Sequence, residues 1–139
     1  MLRSKNLLRG ALIGNAALSL TSGLLLVVAS ETVAGWLGPA VPANLMLGLG
    51  VLFLIFGADV AIVARREEPK LAQAGIITAL DSLWVVGSLV VLAVFSGQLS
   101  TLGIWLVAVQ ALIVADFALL QFLGIRQRTQ GRDALAATA

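Results

Sequence analysis

Hydrophobic residues form four long runs along this chain, and short polar segments separate them. The runs cover residues 10–29, 44–64, 71–95 and 102–125. Each is about as long as the roughly 20 residues that an α-helix needs to cross the hydrocarbon core of a bilayer. The pattern therefore predicts an all-α integral membrane protein in which a bundle of four transmembrane helices forms a single domain over residues 1–125.

Two segments outside these runs have a distinct composition. The segment "SETVAGWLGPAVPA" between the first two runs contains Gly35, Gly38, Pro39 and Pro42. Glycine and proline interrupt regular structure, so we expect a short turn of helix at the membrane interface, followed by an irregular link. Residues 126–139 are polar, small and aperiodic, which predicts a mobile tail.

Composition supports the membrane assignment and excludes several kinds of chemistry. Hydrophobic residues make up 60% of the chain, charged residues 12%, and the mean hydropathy is +1.03, whereas a soluble domain is about a quarter charged. The chain has no cysteine and no histidine. Disulfides, thiolate chemistry, the usual zinc sites and histidine-ligated haem are therefore excluded, and we predict neither a cofactor nor a metal site.

The basic residues lie beside the apolar runs, where they orient a membrane protein. They precede the first run, fill the connection between the second and third, or follow the fourth: Arg3, Lys5, Arg9, Arg65, Arg66, Lys70, Arg126, Arg128 and Arg132. The other two connections contain no lysine or arginine. The positive-inside rule then predicts cytoplasmic termini in a bacterial inner membrane. Because this arrangement accounts for the basic residues, the net charge of +2 does not indicate nucleic-acid binding.

Two similar stretches suggest an internal repeat. "ADVAIV" at residues 58–63 and "ADFALL" at residues 115–120 both lie in helices that are predicted to run from outside to inside. In the helices before them, Asn15 aligns on or within one position of Asp81. Two such hairpins would form a parallel repeat about an axis along the membrane normal. Chance similarity between apolar segments explains the same pattern, so both interpretations stay open.

Small residues indicate how the helices approach each other. Gly10 and Gly14 form a GxxxG motif in the first run, and Ser19 and Gly23 continue the spacing of small residues. Such stripes allow close helix packing in lipid. The small residues either pack against other helices of the same chain or form a homodimer interface. Besides the lipid bilayer, the expected partners are therefore a second copy or another membrane protein.

The candidate functional residues are polar or aromatic side chains inside the apolar runs. They are Asp59, Asp81, Asp116, Asn15, Ser19, Ser88 and Trp84. Ionisable residues at this depth normally face a bundle interior or a hydrated cavity. No lysine or arginine lies within the runs to pair with the acids. Each carboxylate must then be protonated, hydrated or neutralised by a cation, because desolvation disfavours the charged form. We expect an inward-facing polar cleft lined by these residues.

This chemistry favours the binding or transport of a cationic or proton-coupled small ligand. The face of Trp84 beside Asp81 would suit an organic cation through cation–π attraction, or Trp84 serves packing. In size and helix count the chain is similar to the small multidrug resistance exporters, which work as dimers around an acid in the membrane. It has Asn15 where those proteins carry a glutamate in the first helix.

Two further hypotheses stay open beside transport. "FGADVAI" at residues 56–62 resembles a shortened form of the aspartate box of the lipoprotein signal peptidases, which implies an intramembrane aspartyl hydrolase. The asparagine and one spacer of that box are missing, no partner box is found, and the acids lie toward the inner side, so we do not predict an enzyme. The other hypothesis is a scaffold or accessory subunit of a membrane complex, which the short loops and apolar composition also fit.

Overall fold

Helices account for nearly all of the structure. The computed structural model describes the backbone of residues 2–138 and the side chains of residues 6–138, and within that part of the chain it has five α-helices, one 3-10 helix and no strand. In chain order these are α1 (Leu2–Val28), α2 (Ser30–Leu37), α3 (Ala43–Arg65), α4 (Leu71–Phe95), a 3-10 helix (Ser96–Gln98) and α5 (Thr101–Ala137).

Four of these helices, α1, α3, α4 and α5, are long and apolar enough to cross a membrane. Their outer surface is covered by large aliphatic side chains, such as Ile55, Leu83 and Leu112, which are 64%, 67% and 69% exposed. A continuous apolar surface of this kind suits lipid rather than water. The prediction of an all-helical protein with four apolar spans is confirmed.

The four long helices follow one another around the bundle in the order α3, α1, α5, α4. The helix α1 packs along both α3 and α5, and α4 packs along α5, while α3 and α4 approach each other less closely. The helices α1 and α4 therefore face each other diagonally across the centre. This places side chains from both helices in the middle of the bundle.

Glycines on α3 allow its close contact with α1. A Cβ atom at Gly50 would lie 2.9 Å from the backbone nitrogen of Val27, and one at Gly57 would lie 3.0 Å from that of Leu20. Because backbone atoms cannot move aside as a flexible side chain can, any larger residue at these two positions would separate the helices. In the predicted small-residue stripe of α1, Gly14 packs against Phe117, whereas Gly10 faces open space.

Two apolar clusters lie toward opposite ends of the bundle. One contains Leu8, Leu12, Val60, Val63 and Ile77, with smaller side chains between them. The other lies beneath α2, where Val33 and Ala34 pack against Met46 of α3. The polar side chains described below follow the first cluster along α1 and α4.

The predicted short helix and irregular link are α2 and residues 38–42. Gly38 has φ of 151°, a conformation that favours glycine, and a Cβ atom there would lie 2.6 Å from the carbonyl oxygen of Gln98. The Ser100 N–H donates to the Leu37 carbonyl over 2.7 Å. The end of α2 is thereby held against the start of α5.

Helix α5 extends well beyond the predicted end of the fourth apolar run. It continues to Ala137, so that most of residues 126–139 are helical. Arginine, glutamine, alanine and leucine in this segment favour helix, and a hydrogen bond of 3.0 Å from Arg128 Nη1 to the Pro69 carbonyl holds its first turn against the α3–α4 connection. The mobility of this tail stays a prediction.

Candidate functional site

A buried carboxyl group lies at the centre of the bundle. Asp81 of α4 is 3% exposed, and it follows Ala74 and Ile77 on the inner face of that helix. These positions lie three, four or seven residues apart, which keeps them on one side of an α-helix. Among the aspartates that the structure describes, Asp81 is the one that is buried.

Two carboxamide groups from different helices converge on this aspartate. The Nδ2 atom of Asn15 on α1 donates to Asp81 Oδ2 over 2.6 Å. The Nε2 atom of Gln121 on α5 donates to the same oxygen over 3.0 Å. Both amide side chains are buried, Asn15 at 1% and Gln121 at 0% exposure. The contact therefore joins α1, α4 and α5 through one oxygen atom.

Two hydroxyl groups orient these amides. Ser19 Oγ donates to Asn15 Oδ1 over 3.3 Å. Thr78 Oγ1 lies 2.9 Å from Gln121 Oε1, and it also lies 2.9 Å from the carbonyl oxygen of Ala74. Because each amide oxygen accepts from a hydroxyl, each amide nitrogen is turned toward Asp81. We refer to Ser19, Asn15, Asp81, Gln121 and Thr78 as the polar centre.

The polar centre contains a single group that can carry charge. Asn15 and Gln121 are neutral donors, and no cationic side chain of residues 6–138 is bonded to Asp81. Burial of an uncompensated carboxylate in an apolar interior is costly even when neutral groups donate to it. A proton or another positive charge at Asp81 would therefore lower this cost.

The other two aspartates predicted to line the cleft do not join this centre. The structure places Asp59 and Asp116 on the exposed surface of the bundle. Helix α3 turns Gly57 and Val60 inward, and α5 turns Val114 and Ala118 inward. Asp59 lies two residues after Gly57, and Asp116 lies two residues from both Val114 and Ala118, about 200° around each helix. The expectation that three carboxyl groups share one inward-facing cleft is thus not met.

Trp84 and Ser88 lie beside the polar centre without a hydrogen bond to it in the described part of the chain. Trp84 is half-buried, and its ring meets Phe53 edge to face with centroids 4.8 Å apart. Its Nε1 atom is buried and has no hydrogen-bond partner among residues 6–138. Ser88 is buried, and its Oγ donates to the Trp84 carbonyl over 2.9 Å on its own helix. Their predicted role in ligand binding stays a prediction.

Two members of the polar centre, Thr78 and Gln121, are absent from the candidate residues predicted from the sequence, and the one that contacts Asp81 is Gln121. It lies near the end of the fourth apolar run, where a polar residue resembles the start of the tail. The spacing along α5 indicates an inner position for Gln121, since it is three residues after Ala118 and ten after Ala111, both on the inner face of α5. These spacings place an amide on the same stripe as the small residues.

Comparisons of the chain with known protein families, with curated proteins and with solved structures found no match. The polar centre is therefore the basis of the proposed function.

Proposed function

We propose that this chain is a small multi-pass membrane protein that binds a proton at Asp81, and that this protonation is coupled to its action on a small ligand. The observation that carries the proposal is the burial of Asp81 with two neutral donors and no bonded cation among residues 6–138. Acidic groups in this setting mark proton relays in transporters and pumps.

The geometry favours a proton over a metal ion or an organic cation. A metal cation of the hard type is held by several oxygen atoms, but Asn15 and Gln121 present nitrogens to Asp81 and direct their oxygens to hydroxyl groups. An organic cation needs space, and both amides and the carboxyl group are at most 3% exposed. A proton on Asp81 requires no cavity.

Protonation of Asp81 would change hydrogen bonds that link three helices, α1, α4 and α5. A carboxylate only accepts hydrogen bonds, whereas a carboxylic acid also donates one. Both hydrogen bonds to Asp81 end on Oδ2, so a proton on that oxygen would require Asn15 or Gln121 to turn its amide. Because these residues belong to α1 and α5, the hydrogen bonds that link α4 to both helices would change. This is the coupling that a proton-linked carrier requires.

Infrared difference spectra of the protein in lipid nanodiscs, recorded across a pH titration, test proton binding. We expect a carboxylic acid C=O band that disappears as the pH rises, that is missing from Asp81→Asn, and that Asp133→Asn retains. Identical titrations of the wild type and Asp81→Asn would overturn the proposal. So would an Asp81 band that does not change with pH, because the carboxyl group would then be an inert hydrogen-bond donor.

We also propose that both termini are cytoplasmic, in a bacterial-type inner membrane. Two contacts support this by bringing basic segments to one end of the bundle. Arg9 Nε donates to the Ala64 carbonyl over 3.2 Å, and Arg128 Nη1 donates to the Pro69 carbonyl over 3.0 Å. Reporter fusions at Ala139 and after Gly97 check the topology. An active cytoplasmic reporter at Gly97 would contradict it.

A parallel repeat of two hairpins is consistent with these positions, and we propose it as the origin of the polar centre. Asp59 and Asp116 occupy matching sites on α3 and α5, and both are exposed. Asn15 and Asp81, on the preceding helices, are hydrogen-bonded to each other. Two residues that are related by a two-fold axis through the centre of the bundle lie close to each other, as Asn15 and Asp81 do.

The exposed aspartates of the apolar helices, Asp59 and Asp116, favour a second function, as an accessory subunit of a membrane complex. Each carboxyl group is surrounded on its helix face by exposed aliphatic side chains, which are Ile55 and Ile62 on α3 and Leu112 and Leu119 on α5. A carboxyl group directed at lipid is costly, and a hydrogen-bond donor on a partner helix would remove this cost.

Disulfide crosslinking between single cysteines at Leu112 and at Leu119, carried out in native membranes, tests the subunit role. We expect a crosslinked species that Asp116→Leu loses and that Asp133→Asn keeps. Equal crosslinking in the Asp116→Leu and Asp133→Asn backgrounds, or no crosslinked species from the single-cysteine variants that keep Asp116, would contradict a partner helix at this face.

A further inference from the structure

The helices α1 and α3 leave a groove between them at the basic end of the bundle. Its volume is about 210 Å³, and its lining residues are Arg9, Ile13, Ala16, Ala61, Ala64 and Arg65. The two arginines supply its charge, and the other four side chains are aliphatic. No carboxylate is among the lining residues.

Small side chains create the groove, and a hydrogen bond fixes one arginine in it. Ala16, Ala61 and Ala64 leave space where larger residues would fill the seam between the helices. Arg9 Nε donates to the carbonyl oxygen of Ala64 over 3.2 Å. That carbonyl belongs to the last turn of α3, where backbone oxygens have no partner within the helix. The bond uses Nε, which leaves the terminal nitrogens of the Arg9 guanidinium for another acceptor.

We propose that this groove binds an anionic phospholipid, with the phosphate between Arg9 and Arg65 and the start of an acyl chain against Ile13, Ala16 and Ala61. Arginine matches phosphate oxygens through charge-assisted hydrogen bonds. Basic pockets between transmembrane helices bind anionic headgroups in this way.

A phospholipid would contact both the arginines and the aliphatic residues of the groove, whereas a phosphate compound without an acyl chain would contact the arginines alone. Free phosphate would contact the arginines and leave the aliphatic floor uncovered. A zwitterionic lipid would bring its own ammonium group close to Arg9 and Arg65, and like charges repel. The headgroup must therefore be anionic, and an acyl chain must be attached to it.

Native mass spectrometry of the detergent-solubilised protein, titrated with phosphatidylglycerol or phosphatidylcholine, tests this site. We expect preferential binding of phosphatidylglycerol, weakened roughly fivefold for each arginine removed in Arg9→Gln and Arg65→Gln. Ala61→Phe fills the groove and keeps both charges, so it should also weaken binding. Arg132→Gln removes an exposed arginine of α5 outside the groove, and it should bind as the wild type does.

Three results would overturn the proposal. Equal affinity for the two lipids would show that charge is not recognised. Wild-type affinity of Arg65→Gln and Ala61→Phe would show that the lipid binds elsewhere. Displacement of phosphatidylglycerol by excess inorganic phosphate would identify a free-phosphate site. If Arg9→Gln misfolds through loss of its contact with Ala64, Arg65→Gln and Ala61→Phe still decide the result, since neither removes that bond.

Discussion

The Nδ2 atom of Asn15 lies 2.6 Å from Asp81 Oδ2, and this hydrogen bond crosses the diagonal of the bundle between α1 and α4. The backbones of these two helices scarcely approach each other, so the connection between them depends on side chains. Gln121 completes it from α5, which packs against both helices. Asp81 is thus the point where three of the four long helices are tied together.

We expect Asn15→Leu to destabilise the protein. The substitution is close in volume, but it removes one of the two donors to a buried carboxyl group. The expected loss is about 1 kcal/mol of unfolding free energy, measured by denaturant titration in detergent micelles. Asn44→Leu is the matched control, because Asn44 is exposed at the start of α3. An equal effect of the two substitutions would contradict a role for the Asn15 amide.

Gln121→Ala should be more costly than Asn15→Leu. The Gln121 side chain is 0% exposed, donates to Asp81 and lies 2.9 Å from the Thr78 hydroxyl. Its truncation leaves a cavity as well as unsatisfied polar groups, so we expect a loss of about 2 kcal/mol. Thermal unfolding in micelles measures it, with the half-buried Gln110→Ala as the control. A negligible change would mean that Gln121 is a bystander in the polar centre.

Exchanging Asn15 and Asp81 tests whether the two positions are equivalent. Asn15→Asp alone places a second carboxyl group at hydrogen-bond distance from Asp81 and should destabilise the protein at neutral pH, because like charges oppose each other. The double variant Asn15→Asp with Asp81→Asn restores one acid and one amide. We expect it to recover about 1 kcal/mol or more in a double-mutant cycle of unfolding free energies. Additive effects would show that the two positions are not interchangeable and would weaken the proposed repeat.

Gly50→Ala should separate α1 from α3. A Cβ atom there would lie 2.9 Å from the Val27 backbone nitrogen, which cannot move aside without shifting the helix. We expect a loss of about 1–3 kcal/mol, read from the denaturant midpoint. Gly48→Ala on the same helix adds a Cβ with nothing within 4 Å, and it should be neutral or slightly stabilising because alanine favours helix. Similar midpoints for the two variants would contradict close packing at Gly50.

Hydropathy along the chain was sufficient to predict the four apolar helices. A segment that crosses a bilayer must satisfy its own backbone hydrogen bonds, so length and apolar composition together imply a helix. The same reasoning identified Asn15, Ser19 and Asp81 as unusual, because polar groups at that depth require partners. These residues were found from their type and position alone.

The packing of the helices decides which polar residues face each other. In a membrane the outer surface is as apolar as the interior, so the alternation of polar and apolar positions that reveals the inner face of a soluble helix is nearly absent from α3 and α5. Asp59 and Asp116 were therefore expected inside and lie outside, while Gln121 lies inside. The contacts of Gly57 with Leu20 and of Gly124 with Leu8 set the rotation of α3 and α5 about their axes relative to α1. This rotation places the two aspartates outside and Gln121 inside.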